Sequence, residues 1–266
     1  MTESASRRVA LVGPGRAGLT ITTALTAVGW QVVGVAGRSP DAPSVLSGSA
    51  RFGVMPVAAT DAVAEADLVV IGTPDAAIDA TAAAIARAVR ADALVVHLSG
   101  ARGLAALAAL ECRTGALHPL QSLPSVEVGV ARLTGAFAAV AGDHAVSAIA
   151  ISIGMVPFLV PDDVRAGYHA AACIASNHFV ALMAQVDACT DVPLEVFLPL
   201  VRATVENVAA LGPRAALTGP VARGDLTTVQ AHVAAIPPAE FDAYRALAAR
   251  AARLAGTEAA LADVLT

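Results

Sequence analysis

Three glycines near the start of the chain have the spacing of a loop that binds phosphate groups. The segment Gly13–Gly18 has the pattern G-x-G-x-x-G, and it follows an apolar run at Arg8–Val12 and precedes an Ala-rich stretch. Glycine suits this pattern because the backbone turns tightly, approaches a pyrophosphate closely and lets a helix pack on a strand. Free N–H groups at the start of that helix then face the phosphates. We predict that a dinucleotide binds through Gly13, Pro14, Gly15, Arg16, Ala17 and Gly18, and the alternative is a turn without a ligand.

The end of the second predicted strand carries residues that select between the two nicotinamide cofactors. An Asp or Glu at this point accepts a hydrogen bond from the ribose 2′-OH and repels a 2′-phosphate. The run Gln31–Ala36 is followed instead by Gly37, Arg38 and Ser39, without a carboxylate. An Arg and a hydroxyl suit a 2′-phosphate because they form charge-assisted hydrogen bonds with it. The sequence therefore favours NADP(H) over NAD(H), and the alternative is that Arg38 is a solvated loop residue.

Three further loops follow predicted strands, at the edge of a parallel sheet where ligands bind. Two of them add five candidate cofactor contacts, namely Gly72, Thr73, Pro74, Ser99 and Gly100. Each loop has a structural alternative, since the first also begins a helix well and the second also makes a good turn. The third loop offers His118 as a catalytic candidate, because the following Pro119 holds it at a strand end, where a nicotinamide ring would lie.

Reduction of a ketone needs a proton donor near the developing alkoxide, whereas reduction of a protonated imine does not. The seventeen basic residues are all Arg, and the chain contains no Lys. The donors that remain available are His118, His169, Tyr168, Ser176 and Ser99. A ketone reductase with this sequence would therefore take its proton donor from among these His and hydroxyl groups.

Five residues form the predicted catalytic site: His118, His169, Ser176, Asn177 and Arg223. Helical spacing places His169, Ser176 and Asn177 along one side of a predicted helix. In this hypothesis His169 or His118 is the acid, Asn177 orients the substrate oxygen or nitrogen, and Arg223 binds a substrate carboxylate. The alternative for His169 and Asn177 is that they only form hydrogen bonds within a helix bundle. The alternative for Arg223 is an ion pair with Asp225, which is itself a predicted helix cap.

The elements that must position these residues alternate between strand and helix, as in βαβ units around a parallel sheet. The predicted strands are Arg8–Val12, Gln31–Ala36, Val54–Val57, Leu68–Ile71, Leu94–Leu98, Gly115–His118, Phe137–Val140 and Val156–Val160. The predicted helices between them include Ala17–Val28, Asp75–Val89 and His144–Ile153.

After Pro161 the strand pattern stops, and Asp162 and Asp163 predict the capped start of a long helix towards Cys189. Further helices are predicted to begin near Asp191, Asp225, Pro238 and Thr257. We therefore predict an α/β Rossmann domain with a mostly parallel sheet over residues 1–161, followed by an all-α domain over residues 162–266.

Composition and charge exclude several classes of partner. The net charge is −5 and the arginines are scattered singly, so nucleic acid is not an expected partner.

The cysteines Cys112, Cys173 and Cys189 are far apart, and their spacing indicates neither a metal site nor a disulfide. The scattered cysteines fit a reducing cytoplasm, where we expect the protein to lie. The segment over residues 1–8 is short and polar, so we expect no signal peptide. The stretch Ala166–Val186 has the length of a membrane span, but its polar residues favour a buried helix and no membrane partner.

Over essentially its whole length the chain resembles bacterial proteins that join a Rossmann-like domain to a domain of unknown function, DUF2520. The resemblance rests on the segments Gly13–Gly18, Gly72–Asp75, Leu117–Ser122, Tyr168–His169, Ala175–Asn177 and Thr218–Asp225. This family is similar to the superfamily of 6-phosphogluconate dehydrogenase, β-hydroxyacid dehydrogenases, ketopantoate reductase and pyrroline-5-carboxylate reductase. The resemblance implies a helical second domain, an active site in a cleft between the domains, and a homodimer formed through the helices.

The resemblance also implies a substrate class, a small compound that carries a carboxylate. Some members of the family are taken to act as alternative ketopantoate reductases, which makes ketopantoate the first substrate hypothesis and pyrroline-5-carboxylate the second. Related dehydrogenases use a Lys in a K-x-x-N pattern as the acid, but Ile174 stands three residues before Asn177 here. That form of proton delivery is therefore excluded.

Two other classes of function compete with a reductase. A protein that binds NADP(H) without turnover, as a sensor or an accessory to another enzyme, would carry the same nucleotide site. An S-adenosylmethionine-dependent transferase also uses a glycine loop after its first strand, but it requires an acidic residue after the second strand, where Gly37 and Arg38 stand. The sequence therefore favours an NADP(H)-dependent oxidoreductase, with the sensor as the alternative.

Overall fold

A computed structural model of the chain describes residues 7–265. Met1–Ser6, most of the segment predicted not to be a signal peptide, and Thr266 lie outside the described residues. The strands are β1 (Arg7–Val12), β2 (Trp30–Ala36), β3 (Leu68–Ile71), β4 (Leu94–His97), β5 (Arg113–Pro119), β6 (Phe137–Gly142) and β7 (Val156–Leu159). The helices up to residue 173 are α1 (Arg16–Ala27), α2 (Pro43–Phe52), α3 (Ala59–Val63), α4 (Ile78–Ile85), α5 (Val126–Ala131), α6 (Ala145–Ser152) and α7 (Arg165–Cys173). The later helices are α8 (Phe179–Ala188), α9 (Leu198–Ala216), α10 (Pro220–Arg223), α11 (Leu226–Ala235), α12 (Phe241–Ala255) and α13 (Glu258–Leu265).

The strands form one sheet in the order β2-β1-β3-β4-β5-β6-β7. All neighbouring strands are parallel except β5 and β6, which pair antiparallel. Alternate residues of β1 point to opposite faces of the sheet. Val9 and Leu11 belong to the buried cluster on one face, and Ala10 and Val12 belong to the cluster on the other. This coverage of both faces explains the continuous apolar runs at β3 and β4. The predicted Rossmann domain with a mostly parallel sheet is confirmed.

The predicted strand Val54–Val57 is wrong. This segment touches the outer edge of β2 through a single isolated bridge between Val35 and Pro56. Proline has no N–H to continue a ladder of hydrogen bonds, so the pairing ends after one bridge. The valines of the segment gave it the composition of a strand, although it only borders the sheet.

The first compact unit extends to Ile174, beyond the boundary predicted at residue 161. It includes α7, whose Tyr168 packs edge-to-face on Phe158 of β7 at a ring-centroid distance of 5.8 Å. Asp162 does not cap α7, as the sequence had indicated, because its Oδ2 accepts a hydrogen bond from the Leu104 N–H at 2.8 Å. This contact links the start of α7 to the loop after β4.

The second compact unit, from Ala175 onward, is helical within the described residues, and the predicted all-α region is confirmed. The long helix predicted up to Cys189 is divided into α7 and α8 by a π-helical turn at Ile174–His178. Gly212 has a φ of 78° and a ψ of 162°, which breaks α9 just before Pro213. Asp225 caps α11 as predicted, since its side chain accepts a hydrogen bond from the Thr228 N–H at 3.1 Å.

Large apolar side chains of α8 and α9 are exposed, among them Val180, Leu200, Val205 and Leu211. They lie on the unit through which we expect a homodimer to form, and the dimer stays a prediction. In the part of the chain that the structure describes, the helices are too short or too polar to cross a membrane.

Candidate functional site

A cleft of about 1050 Å³ lies at the carboxyl ends of the parallel strands, within the first unit. Strand ends contribute Val12 from β1 and Pro119 from β5, and the loops after the strands supply most of the remaining wall. The predicted site residues that line this cleft are Gly13, Pro14, Gly15, Arg16, Ala17, Gly37, Arg38, Ser39, Gly72, Thr73, Pro74 and His118. In the sheet, β2 lies on one side of β1 and β3 on the other, so the order in which successive strands are added reverses at β1. Open α/β sheets bind their ligands at such a point.

The glycines of the first loop bring two backbone segments into close contact. Gly13 has a φ of +89°, and a Cβ at this position would lie 2.5 Å from the Thr73 backbone nitrogen. A Cβ on Gly18 would lie 2.8 Å from the Leu11 side chain, so this glycine lets α1 pack on β1. Gly15 differs from both, because a Cβ there would meet only the Gly72 carbonyl oxygen, at 3.5 Å. The loop is therefore held by Gly13 and Gly18, while Gly15 keeps its side of the cleft open.

The start of α1 presents positive charge to the cleft. Gly15 is the residue before the helix, and the first turn contains no acidic side chain. The first N–H groups of a helix lack partners within the helix and carry its partial positive charge. Arg16, which also lines the cleft, adds a full charge. This end of the cleft therefore suits the pyrophosphate of a dinucleotide.

Arg38 lies at another part of the cleft wall, together with Ser39 and Ser44. Its side chain is exposed, and no carboxylate in residues 7–265 forms an ion pair with it. A Cβ on Gly37 would lie 2.7 Å from the Val45 side chain, so α2 packs closely behind this loop. The Arg38 guanidinium and the two hydroxyls are thus available for an anionic group such as a 2′-phosphate.

Ser99 and Gly100, also predicted to bind the cofactor, lie outside the lining of the cleft and have structural partners. The Ser99 hydroxyl oxygen accepts hydrogen bonds from the N–H groups of Ala101 and Arg102 at 3.2 and 3.0 Å. A Cβ on Gly100 would lie 2.7 Å from His169 and 2.8 Å from His118. Ser99 therefore stabilises the turn after β4, and Gly100 makes room for two imidazole rings.

His118 is part of a cluster of aromatic and imidazole groups. Its Nδ1 lies 2.8 Å from the Tyr168 hydroxyl oxygen, and the two rings meet edge-to-face at 5.7 Å. The His169 ring lies 5.9 Å from the His118 ring, also edge-to-face. His169 Nδ1 faces the Cys173 sulfur at 4.0 Å, one helical turn away. Of the predicted catalytic residues, the structure therefore brings His118 and His169 together.

Arg165 is a charged residue that the sequence analysis did not single out. It is fully buried, and its Nη1 and Nη2 groups donate to the carbonyl oxygens of Ser99 and Val160 at 3.4 and 3.3 Å. Its Nε lies 3.5 Å from the Asp162 carboxylate, which is 44% exposed. A buried cation with one partly solvated partner produces a strong local positive potential. In the sequence, this residue was marked only by its position three residues after Asp162 at the start of a helix, a spacing that allows an ion pair.

Burial and positive charge keep two histidines of this region neutral. Desolvation, followed by the charges of His169 and Arg165, lowers the pKa of His118 to about 4. Desolvation and Arg165 lower the pKa of His97 to about 4 as well. The His97 Nδ1 accepts a hydrogen bond from the Ser99 N–H at 3.2 Å. Near neutral pH, His118 can therefore donate a hydrogen bond from a neutral ring but holds no extra proton.

Acid is expected to destabilise the protein through these histidines. The unfolded chain binds protons on His97 near its ordinary pKa of 6.5, whereas the folded chain binds one only near pH 4. The free energy of unfolding therefore falls as the pH falls from about 6.5 to about 4. For His97 alone the loss is about 2 kcal/mol at pH 5. Thermal unfolding at pH 7 and pH 5 measures this loss.

A matched pair of variants assigns the acid effect to His97. His97→Asn keeps an acceptor for the Ser99 N–H and removes the titration, so it should clearly reduce the difference between pH 7 and pH 5. His144→Asn changes a side chain that is 94% exposed and should leave the difference unchanged. Equal stability of the parent protein at both pH values would contradict the prediction.

The other predicted catalytic residues belong to the second unit. Ser176 and Asn177 lie in the π-helical turn and are exposed. π-Helical turns within α-helices occur often at functional sites. Arg223 ends α10 and is exposed, and the alternative ion pair with Asp225 does not form, because Asp225 binds Thr228. The roles of these three residues stay predictions.

Two protein-family models match the chain, each over a different segment. Residues 2–124 match the family model described as a Rossmann-like domain. Residues 135–251 match the model described as a domain of unknown function, DUF2520. The two matches confirm the resemblance inferred from the sequence segments. No curated protein sequence matches the chain.

Solved structures share this fold over nearly the whole chain. A provisionally named NADP oxidoreductase from Bacteroides fragilis is 23% identical, with a TM-score of 0.78 over 93% of this chain and 98% of that chain. A reductive aminase from Aspergillus terreus, in complex with NADPH and ethyl levulinate, is 17% identical, with a TM-score of 0.64 over 93% and 94%. A pyrroline carboxylate reductase from Plasmodium falciparum with NADP bound is 12% identical, with a TM-score of 0.60 over 97% and 98%. Identities this low establish a common fold and nothing further.

Proposed function

Given that the chain joins a Rossmann-like domain to a DUF2520 domain, we propose that it is an NADP(H)-dependent reductase of a small carbonyl or imine compound that carries a carboxylate. Ketopantoate is the first candidate substrate and pyrroline-5-carboxylate the second. The pyrroline carboxylate reductase and the reductive aminase that share the fold have names that indicate imine chemistry, which supports this class of reaction.

One cleft joins the features that such an enzyme needs, and this observation carries the proposal. The glycine loop and the start of α1 suit a pyrophosphate, and Arg38 suits a 2′-phosphate. His118 lines the same cleft at the end of β5. When bound, NADPH supplies the hydride for the reduction.

The residues of the chain then bind and orient the reactants. Gly13, Gly15 and the first N–H groups of α1 would hold the pyrophosphate, and Arg38 with Ser39 would hold the 2′-phosphate. His118 would donate a hydrogen bond from its neutral ring to the substrate oxygen or nitrogen. Such a bond polarises a carbonyl group and stabilises the charge that develops during reduction. Arg223 stays the candidate for the substrate carboxylate, and Asn177 for orienting the substrate.

The proposal is tested by NADPH oxidation with the purified protein and a panel of 2-oxo acids and cyclic imino acids, with NADH run in parallel. Turnover of ketopantoate or pyrroline-5-carboxylate establishes the reaction and the substrate together. If NADPH binds and no compound of the panel is reduced, the reductase is contradicted and the NADP(H)-binding sensor takes its place.

Replacement of Arg38 by alanine is expected to weaken NADPH binding selectively. The guanidinium is exposed in the cleft wall and would form charge-assisted hydrogen bonds with the 2′-phosphate, which NADH lacks. Loss of these bonds raises the Kd for NADPH about 10-fold to 100-fold and leaves the Kd for NADH unchanged. Titration of both cofactors with the parent, Arg38→Ala and the control Arg132→Ala measures the effect. Equal losses for NADPH and NADH would show that Arg38 does not contact the 2′-phosphate.

A further inference from the structure

The Tyr168 hydroxyl contacts one nitrogen of the His118 ring. The hydroxyl oxygen lies 2.8 Å from Nδ1, and a Cβ on Gly100 would lie 2.8 Å from Cε1 and Nε2, so the missing side chain leaves room for that part of the ring. Tyr168 is itself oriented by Phe158, whose ring meets it edge-to-face. The imidazole is thus held by a residue that lies 50 positions further along the sequence.

The hydrogen bond between these side chains has a preferred direction. Burial raises the pKa of Tyr168, so its hydroxyl keeps its proton near neutral pH. The low pKa of His118 leaves its ring neutral, with one nitrogen protonated and the other free to accept. A phenol is a much stronger acid than a neutral imidazole, so the hydroxyl donates to Nδ1. The ring proton of His118 is then on Nε2.

Arg165 lies one turn before Tyr168 and His169 on α7, and it stabilises negative charge in this region. Its charge opposes the rise in the pKa of Tyr168 that burial causes. The charged and titratable groups that face His118 are Tyr168, His169 and Arg165 from α7, His97 from β4, and Asp75 from the loop after β3. A phenolate formed briefly at Tyr168 would therefore be stabilised by a fixed, buried cation.

We propose that Tyr168 is a positioning and relay residue that passes a proton to the substrate through His118. The inference rests on the proposed reductase function. Bound NADPH would supply a hydride to the substrate carbonyl carbon, and the carbonyl oxygen would take the proton from His118 Nε2. His118 Nδ1 takes the proton of the Tyr168 hydroxyl in the same step, so the ring stays neutral throughout. After the product leaves, His118 Nε2 takes a proton from water and Nδ1 returns its proton to the Tyr168 phenolate, which restores the starting state.

The first test observes the His118 ring without any substrate. Nitrogen NMR of the full-length protein, with the His118 signals assigned by their loss in His118→Gln, distinguishes the two neutral forms of the ring. We expect a protonated Nε2 and an unprotonated Nδ1 at pH 7, and a mixture of both forms in Tyr168→Phe. A protonated Nδ1 in the parent protein would overturn the relay. Because this measurement needs no turnover, it separates failure of the relay from failure of the reductase.

The second test counts the protons that move during reduction. Tyr168→Phe should lower kcat about 10-fold to 100-fold and leave the Kd for NADPH unchanged. In mixtures of H₂O and D₂O the parent should show a curved dependence of kcat on the deuterium fraction, because two protons move, and Tyr168→Phe a linear one. A parental kcat or a curved dependence in Tyr168→Phe would overturn the relay.

The chain offers a matched control for this substitution. Its other tyrosine, Tyr244, places its hydroxyl 3.0 Å from Nδ1 of His232, in the same kind of contact within the second unit. Tyr244→Phe therefore removes the same chemical group from the same kind of hydrogen bond. We expect it to leave kcat, the His118 signals and the deuterium dependence unchanged, and changes equal to those of Tyr168→Phe would overturn a specific role for Tyr168.

Discussion

Replacement of Gly15 by valine is expected to abolish measurable NADPH binding and to leave the thermal stability of the protein nearly unchanged. The backbone of Gly15 has a φ of −80° and a ψ of 177°, which valine adopts without strain. A Cβ at this position meets only the Gly72 carbonyl oxygen, at 3.5 Å, so the folded protein accommodates the side chain. The valine would then occupy the part of the cleft where the pyrophosphate must approach the backbone. Calorimetric titration with NADPH should show at least a 100-fold rise in Kd.

A second glycine of the same loop separates loss of binding from loss of folding. Gly13→Ala combines a φ of +89° with a Cβ only 2.5 Å from the Thr73 backbone nitrogen. This variant should therefore lower the melting temperature, because neither backbone segment can move away at low cost. If Gly15→Val binds NADPH as the parent does, the cleft is not the cofactor site.

Replacement of His118 by glutamine is expected to lower kcat by roughly 10² to 10³ and to change the Kd for NADPH by less than about threefold. Glutamine is polar and of similar size, but it lacks the two ring nitrogens with which an imidazole accepts one proton while it donates another. The variant therefore keeps the approximate shape of the cleft and loses the proposed proton donor. Steady-state kinetics with the substrate found in the panel, combined with NADPH titration, measures both effects.

The control for this variant is the same exchange at an exposed histidine. His144→Gln alters a side chain that is 94% exposed at the start of α6, away from the cleft lining. It should leave kcat and the Kd for NADPH as they are in the parent. A His118→Gln variant with parental kcat would remove His118 from the mechanism, and the proposed relay through Tyr168 with it.

Elements near the cleft were predictable because their signals are local. A glycine loop between an apolar strand and an Ala-rich helix has few conformations available, so Gly13–Gly18 predicted the turn that the structure contains. Arg38 likewise lies two residues after the end of β2, and the end of a parallel strand determines which edge of the sheet the following residues reach. For the same reason His118, at the end of β5, was expected at this edge before its neighbours were known.

Local patterns failed where a distant segment determined the outcome. Val54–Val57 has strand composition, yet Pro56 and the position of the segment at the sheet edge limit it to one bridge. Asp162 has the position of a helix cap, yet the Leu104 N–H across the unit is its partner. In both places a contact made only in the folded chain overrode the preference of the sequence.

The sequence alone determined the fold class, the division into an α/β part and a helical part, and the residues available to bind a dinucleotide. Only the tertiary structure decided that Tyr168 contacts His118, that Arg165 is fully buried, and that His118 is neutral. The pairing joins residues 50 positions apart, and no periodicity in the sequence encodes such a contact. The protonation state depends on desolvation and on the nearby charges, which exist only after β4, β5 and α7 have packed together.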